Sequence, residues 1–289
     1  MKTIGITWGD QAGVGPEVIE AALGAIELPE GVVVEMVGPR LDGVESGKPS
    51  LETARAALDA LEEGAAKLKS GEIDAIVTGP VAKEGLHSLG FDFPGQTEFF
   101  AERLGCPNHA MCLTGEHLTV ALVTVHVALS QVPRLVTQEE IVRVGHLLAE
   151  FCRQRGRQRP RIAVCGLNPH ASENGAFGHE DREVVAPAIA QLNEEADVAV
   201  FSGPHSADTV FGHAVQGEYD AVLCMYHDQG LIPLKLLDFD TGVNTTLGLP
   251  RPRTSPDHGT AFAIAGKGIA KHSSMQHAIE LAIELVQAQ

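Results

Sequence analysis

An α/β fold, with mostly parallel sheet and helices on both faces, is what this 289-residue chain predicts. Three observations carry that expectation. Short apolar runs alternate with stretches of helical period from one end to the other. Thirty-one glycines and 16 prolines are spread along the chain, as many short turns require. A 44% hydrophobic composition at this length suits two domains of ordinary size.

Residues 3–7 read as a first strand, followed by a glycine turn and a helix from about Pro16. Residues 32–37 form a second strand, 41–50 a polar loop and 51–68 an Ala/Leu/Glu-rich helix. A strand over 73–78 ends at the turn Gly79-Pro80, and strands over 110–113 and 118–125 flank a turn at Gly115. Thr137 and Glu140 make a capping box for a helix reaching Gln154. A strand over 161–165, a helix over 181–195, a strand over 198–201, a helix over 206–214 and a strand over 219–225 follow. Helices over 259–265 and 273–287 close the chain.

Composition removes some function classes. Net charge is −17 and the isoelectric point about 5.1, which argues against general nucleic-acid or anionic-membrane binding. A small anionic substrate stays open, because only local charge matters there. Lys235, Arg251 and Arg253 share one polar stretch. No apolar run approaches the ~18–20 residues of a membrane span. The opening MKTIGITWGD lacks a signal-peptide core and reads as strand. Five cysteines form no CxxC pair and several lie in apolar runs, as expected of buried, reduced thiols in a cytoplasmic protein.

The chemistry concentrates after the strand over 219–225. Residues 225–267 pack histidines, acids, a lysine, an asparagine, arginines and glycines into a segment that cannot be spent on a core. His126, His170 and His227 each follow a predicted strand. In a parallel sheet the carboxyl ends line one edge, so three distant imidazoles can converge there. Three imidazoles with an open fourth position is a catalytic metal pattern, and Asp208 and Asp228 lie near in sequence. Lys235, Asn244 and Arg253 suit a phosphate or carboxylate, as do Gln96 and Thr97 just before a helix. Gly9, Gly13 and Gly15 have the wrong spacing for GxGxxG, so a helix-opening turn that lets backbone approach a ligand is the better reading.

The motifs ITWGDQAGVGPE, VTGPVAK, PGQTE, VHVAL, GLNPHASENGAFGHED, SGPHSADTVF, MYHDQGLIPLK and GVNTTLGLPRPRTSPDHGTAFAIAGKG stand in a recognisable order. Along almost its whole length the chain resembles the 4-hydroxythreonine-4-phosphate dehydrogenase family of vitamin B6 biosynthesis. The resemblance implies two α/β/α domains, isocitrate/isopropylmalate dehydrogenase-like, with the active site in the cleft between them. The first domain would span 1–105 plus 240–289 and the second 106–239, the latter carrying the metal histidines and the dimerisation surface. It implies an NAD(P)-linked oxidation, with decarboxylation, of a small phosphorylated hydroxy acid. One divalent metal per subunit (Zn, Mg or Co) would be held by His126, His170 and His227, in a homodimer that shares its active sites. Gln96, Thr97, Lys235, Asn244 and Arg253 fall on substrate-binding positions. Lys235, Asp228 and Asp208 form the candidate catalytic set, with the general base open between Lys235 and a metal-bound hydroxide. His258, Gly259, Thr260 and Gly266, in the loop 257–268, fall on the NAD side. The chain departs from the family at Gln96, usually histidine, at Gln11, usually proline, and at Ala128, commonly proline; the loop 41–50 is shorter. These departures bear on substrate identity, so relatives acting on threonate or erythronate 4-phosphate, or on aromatic carboxylate cis-dihydrodiols, are alternatives. A non-catalytic ligand-binding protein is the alternative of another class.

Overall fold

The computed structural model describes residues 1–195 and 198–288. In chain order the elements are β1 (Lys2–Thr7), α1 (Gly15–Ala25), β2 (Val32–Val37), α2 (Leu51–Ser70), β3 (Ala75–Thr78), α3 (Lys83–His87), α4 (Gln96–Leu104) and β4 (Ala110–Thr114). Then come β5 (Thr119–Leu122), α5 (Val132–Leu135), α6 (Gln138–Gln154), β6 (Arg161–Cys165), α7 (Ala186–Glu195), β7 (Val200–His205), α8 (Ala207–Val215) and β8 (Ala221–Cys224). The last are α9 (His227–Leu237), β9 (Val243–Leu247), β10 (Arg253–Pro256) and α10 (Ser273–Gln287). The chain forms two compact units, Met1–Pro107 with Asp240–Gln289, and Asn108–Phe239.

In the first unit the strands run β2-β1-β3-β10-β9, all parallel except the β10/β9 pair. Register divides the side chains between two faces. Ile6 lies beside Val77, and Val77 beside Thr254; that face is covered by α10, whose Ala278 carbonyl accepts from Thr254 Oγ1 at 2.8 Å. Gly5 lies beside Ile76, and Ile76 beside Arg253; that face is covered by α2 and α4 through Leu61, Leu68, Phe99 and Phe100. Ser50 and Thr53 cap α2 reciprocally, and Gly71 ends it at φ +82°, a left-handed turn that favours glycine.

In the second unit the order is β4-β5-β8-β6-β7, with β4/β5 an antiparallel hairpin and the rest parallel. Val120, Leu122, Ala163, Cys165, Val222 and Cys224 share a face with Val210 and Phe211 of α8 and Leu231 and Leu234 of α9. Helix α6 packs against β4, β5 and β8, and α7 against β7. Thr137 caps α6 through Glu140 N–H at 3.3 Å, while the Glu140 carboxylate turns to Arg143 instead of closing the box. All five cysteines are free thiols. Burial pushes the Cys152 thiol up to about 12, so it is inert near neutrality.

Three segments differ from the expectation. Residues 259–265 form only a 3₁₀ turn at Phe262–Ile264, because Ala261 adopts a left-handed φ of +44° just before it. The segment after His227 holds a helix and two strands. Pro233 and Gly230 disguise the helix, since both are poor helix formers. Strands β9 and β10 were hidden by Asn244, Thr246 and Arg253, polar residues on the face where apolar ones signal a strand.

Candidate active site

In the first unit, strand alternation assembles an anion-binding group. Arg253 and Ser255 share a face on β10, and Ser255 lies opposite Asn244, which places Asn244 and Thr246 on Arg253's side. The Arg253 guanidinium is 3% exposed. Its Nη1 donates to Asn244 Oδ1 at 3.0 Å, and its Nη2 to Thr78 Oγ1 at 2.8 Å and Gln96 Oε1 at 2.9 Å. The ring of Phe100 lies 5.9 Å from its Cζ. Burial pulls the guanidinium down to about 9, opposed by Glu98, so it is still a cation at neutral pH. Its Nε–H is buried and has no protein acceptor among the described residues. A buried donor without an acceptor is costly, which suits a site whose acceptor arrives with a ligand. Thr97 hydroxyl meets Thr246 hydroxyl at 3.3 Å. Gln96 and Thr97 are the first two residues of α4, whose N-cap Gly95 supplies no side-chain cap, leaving backbone N–H groups for an anion. Four of the expected substrate-side residues, Gln96, Thr97, Asn244 and Arg253, are thus gathered.

The expected cofactor-side loop lies in the same unit. Thr260 carbonyl accepts from Val14 N–H at 2.9 Å, and Ala12 carbonyl from Gly47 N–H at 2.7 Å. A Cβ on Gly13 would sit 2.6 Å from the Thr260 carbonyl oxygen, so this close approach needs glycine. Gly266 takes φ +74° against Ser46 and lines a cavity of about 320 Å³ with Gln11, Glu17, Arg40 and Ser46. Gln11 pins the loop: its Nε2 donates to Pro39 carbonyl at 2.7 Å and its Oε1 accepts from Leu41 N–H at 3.0 Å. Arg40 stacks on Trp8 at 4.3 Å. His258 Nδ1 contacts Gly259 carbonyl at 3.0 Å, and its buried Nε2 has no protein partner among the described residues. The hollow and, separately, the unpartnered His258 nitrogen are groups that could meet parts of a dinucleotide.

In the second unit β5, β8 and β6 are adjacent, and each is followed by one of the three histidines. The His126 and His227 rings lie 5.8 Å apart, near the ~5 Å separation of two imidazoles on one tetrahedral ion. Asp228 Oδ1 accepts from His227 Nδ1 at 2.8 Å, which leaves the lone pair on Nε2, the nitrogen that could hold a metal. His170 does not join them. Its Nδ1 is 4.0 Å from Asp208 Oδ2, and its ring packs 6.2 Å from Phe177. Among the described residues no three His, Cys, Asp or Glu side chains are grouped closely enough for an ion. The Ser206 hydroxyl and nearby His170 hold Asp208 below the usual carboxylate range. Lys235 is half-buried in the last turn of α9, ~12 Å along the helix from His227.

The backbone that carries His170 is unusual. Five consecutive non-glycine residues, His170 to Asn174, have φ between +41° and +66°. Each left-handed residue costs about 1–2 kcal/mol, so something must hold the turn. Asp181, 1% exposed, does this. Its carboxylate accepts from Leu167 N–H, Asn168 N–H, Asn168 Nδ2 and the Ser172 hydroxyl, all within 3.2 Å. Sequence reasoning missed Asp181; an acid soon after a histidine-bearing loop was the only signal. It missed Thr78 and Thr246 too, whose hydroxyls look like ordinary strand threonines.

The family model for "Pyridoxal phosphate biosynthetic protein PdxA" matches residues 17–282. A 4-hydroxythreonine-4-phosphate dehydrogenase of Geobacter metallireducens is 42% identical, covering 97% of this chain and 94% of its own. The crystal structure of 4-hydroxythreonine-4-phosphate dehydrogenase from Klebsiella pneumoniae is 36% identical, with TM-score 0.81, covering 99% of this chain and 100% of that one. An isocitrate dehydrogenase from Methylococcus capsulatus, 16% identical with TM-score 0.53 over 98% of this chain and 85% of that one, shares the fold.

Proposed function

The chain belongs to the PdxA family, and from that premise we propose that it oxidises 4-hydroxythreonine 4-phosphate, with decarboxylation, to 3-amino-2-oxopropyl phosphate in pyridoxal 5'-phosphate biosynthesis. The carrying observation is the buried Arg253 with Asn244, Gln96 and Thr97 around it, an anion cradle ready for a phosphate monoester. A divalent metal and NAD or NADP, when bound, supply Lewis acidity at the substrate hydroxyl and a hydride acceptor. His126 and His227 would hold the metal with His170. Asp228 fixes the His227 tautomer, and Asp208 faces His170. Lys235 is the candidate that takes the hydroxyl proton. His258, Gly259, Thr260 and Gly266 would face the dinucleotide.

The metal set is read as completed by a second copy of the chain. Two histidines meet while the third stands off. Ile232, Leu236 and Phe239, spaced along and just past α9, are 66%, 81% and 71% exposed, and Leu129, three residues after His126, is 70% exposed. An exposed apolar stripe next to an incomplete ligand set suits a homodimer with shared sites. No described helix is long and apolar enough to cross a membrane, and a cytoplasmic location is part of the proposal.

The test is reduced-nicotinamide formation with 4-hydroxythreonine 4-phosphate, with and without chelator, beside threonate and erythronate 4-phosphate and a cis-dihydrodiol carboxylate. Turnover of the first compound, abolished by chelator, supports the reading. Turnover of another compound alone replaces the substrate. No turnover of any leaves a binding protein. Gln96, which cannot become cationic, makes a weaker phosphate contact than histidine would, and this keeps the sugar-acid phosphates and the aromatic carboxylate cis-dihydrodiols as second readings.

A further inference from the structure

A cavity of about 520 Å³ opens in the second unit, lined by Arg155, Arg157, Arg161, His117 and Tyr219 with Glu116 and Asp220. It sits where β5 and β6 begin, at Thr119 and Arg161, and just before β8. The histidines follow the other ends of these strands. One strand length, ~13–17 Å, separates the two edges. The arginines come from RQRGRQRPR, residues 153–161, which concentrates five of the chain's 21 basic residues in a protein of net charge −17. Local charge decides binding here, because screening removes distant charges beyond ~8 Å at physiological salt.

Two of the guanidinium groups share one carboxylate. Arg161 donates through Nη2 to Gly217 carbonyl at 2.8 Å, and its Nε lies 3.5 Å from Asp220 Oδ2. Arg157 Nε lies 3.6 Å from the other oxygen of the same carboxylate. Asp220 thus serves two guanidinium groups, each with a fork of five N–H donors, and also accepts from Arg161 N–H at 2.8 Å. Arg155 Nη1 donates to the Thr114 hydroxyl at 2.8 Å, with its Cζ 5.7 Å from the Phe151 ring. The Asp238 carboxylate raises His117 above the ordinary imidazole range. Guanidinium forks match phosphate oxygens in pairs, and the volume suits a small metabolite.

We propose that this cavity is a second anion site, taking a small molecule that carries a phosphate group and lying apart from the catalytic edge. Phosphorus NMR titration of the whole protein with inorganic phosphate tests it, on wild type, Gln96→Glu and Arg157→Glu. Gln96→Glu keeps an acceptor for Arg253 and puts a negative charge into the proposed substrate cradle, so it removes phosphate bound there. Arg157 is exposed, so its replacement should leave the melting temperature and dehydrogenase activity near wild type. The expected result is a binding event that survives Gln96→Glu, weakens at least tenfold in Arg157→Glu and fades with added salt. Arg157→Gln, which keeps the size and removes the charge, should weaken it by a smaller factor and serves if Arg157→Glu melts early. The proposal is overturned if wild type binds no phosphate at millimolar concentration. It is equally overturned if Gln96→Glu abolishes all binding, or if the Arg157 variants leave all binding untouched.

Discussion

The two units carry their chemistry in opposite ways. In the first, Arg253 is buried and held by Thr78, Asn244 and Gln96 before any ligand arrives. In the second, His126 and His170 are exposed, His170 rides a left-handed turn, and only two imidazoles meet. The proposed phosphate site is largely preformed on one packed sheet face, because oxygens of Asn244, Thr78 and Gln96 accept from Arg253. The proposed metal site, on exposed ligands, would be assembled only with the ion and a third ligand in place. The difference separates stability from activity: the first site should lose both together, the second activity alone.

The largest effect is expected at Arg253. Arg253→Ala leaves the buried Thr78 hydroxyl and the half-buried Asn244 and Gln96 amides without their donor, so stability should fall by about 3 kcal/mol. Since a truncated buried cation loses about 2–5 kcal/mol of binding, kcat/KM should drop ~10²–10³-fold. Denaturant melts and steady-state rates measure both, and an unaltered melt would break the contrast.

His170→Ala is the complementary case. Its side chain is exposed, so stability should change by less than ~0.5 kcal/mol. Activity should still collapse and metal content fall, as elemental analysis of dialysed protein would report. A variant with normal metal content and rate would remove His170 from the site.

Asp181→Asn lies between the two. It keeps the size but turns one acceptor into a donor facing the Leu167 and Asn168 N–H groups. Loss of the left-handed turn should weaken metal affinity by ~10–100-fold, the usual range for groups that orient a ligand. Stability should fall by ~2 kcal/mol. A stability loss with unchanged metal affinity would make Asp181 merely structural.

Gln96→His sharpens the first unit's side. An imidazole near Arg253 gains charge only below its ordinary pKa of ~6.5. KM for the phosphorylated substrate should become pH-dependent, lower at pH ~6 than at pH ~8 by a few-fold. A flat KM would place Gln96 away from the phosphate.

The smallest effect is expected at the β4–β5 turn. Asp238 accepts from His117 Nδ1 at 2.7 Å and from the N–H groups of His117 and Leu118. The folded pKa of His117 is raised, so its contribution to stability is complete below the unfolded value and disappears as pH rises through the folded one. His117→Gln should therefore lower the melting temperature slightly in mild acid and not at pH ~8.

Legibility followed burial pattern. Strands over residues 32–37 and 161–165 were readable to the residue because both are short runs of mostly apolar, β-branched side chains, buried in the second and half-buried at the sheet edge in the first. Strands β9 and β10 were not, because the residues facing the anion site are Asn, Thr and Arg. Gln96, Thr97, Asn244 and Arg253 could be named from motif resemblance, but their mutual hydrogen bonds follow from sheet register, which the sequence does not print. Asp181 offered only its place soon after a histidine-bearing loop, and Thr78 carries no local signal of its role.

By itself the sequence determined the alternation of strands and helices, the family, and which side chains could carry charge or bind a metal, since these follow from residue chemistry and local period. Tertiary structure alone decided that Arg253 meets Gln96 and Asn244, that a left-handed turn hung on Asp181 presents His170, and that three of five clustered arginines line a hollow. Those outcomes depend on strand order and register, which arise from long-range packing that no local stretch encodes.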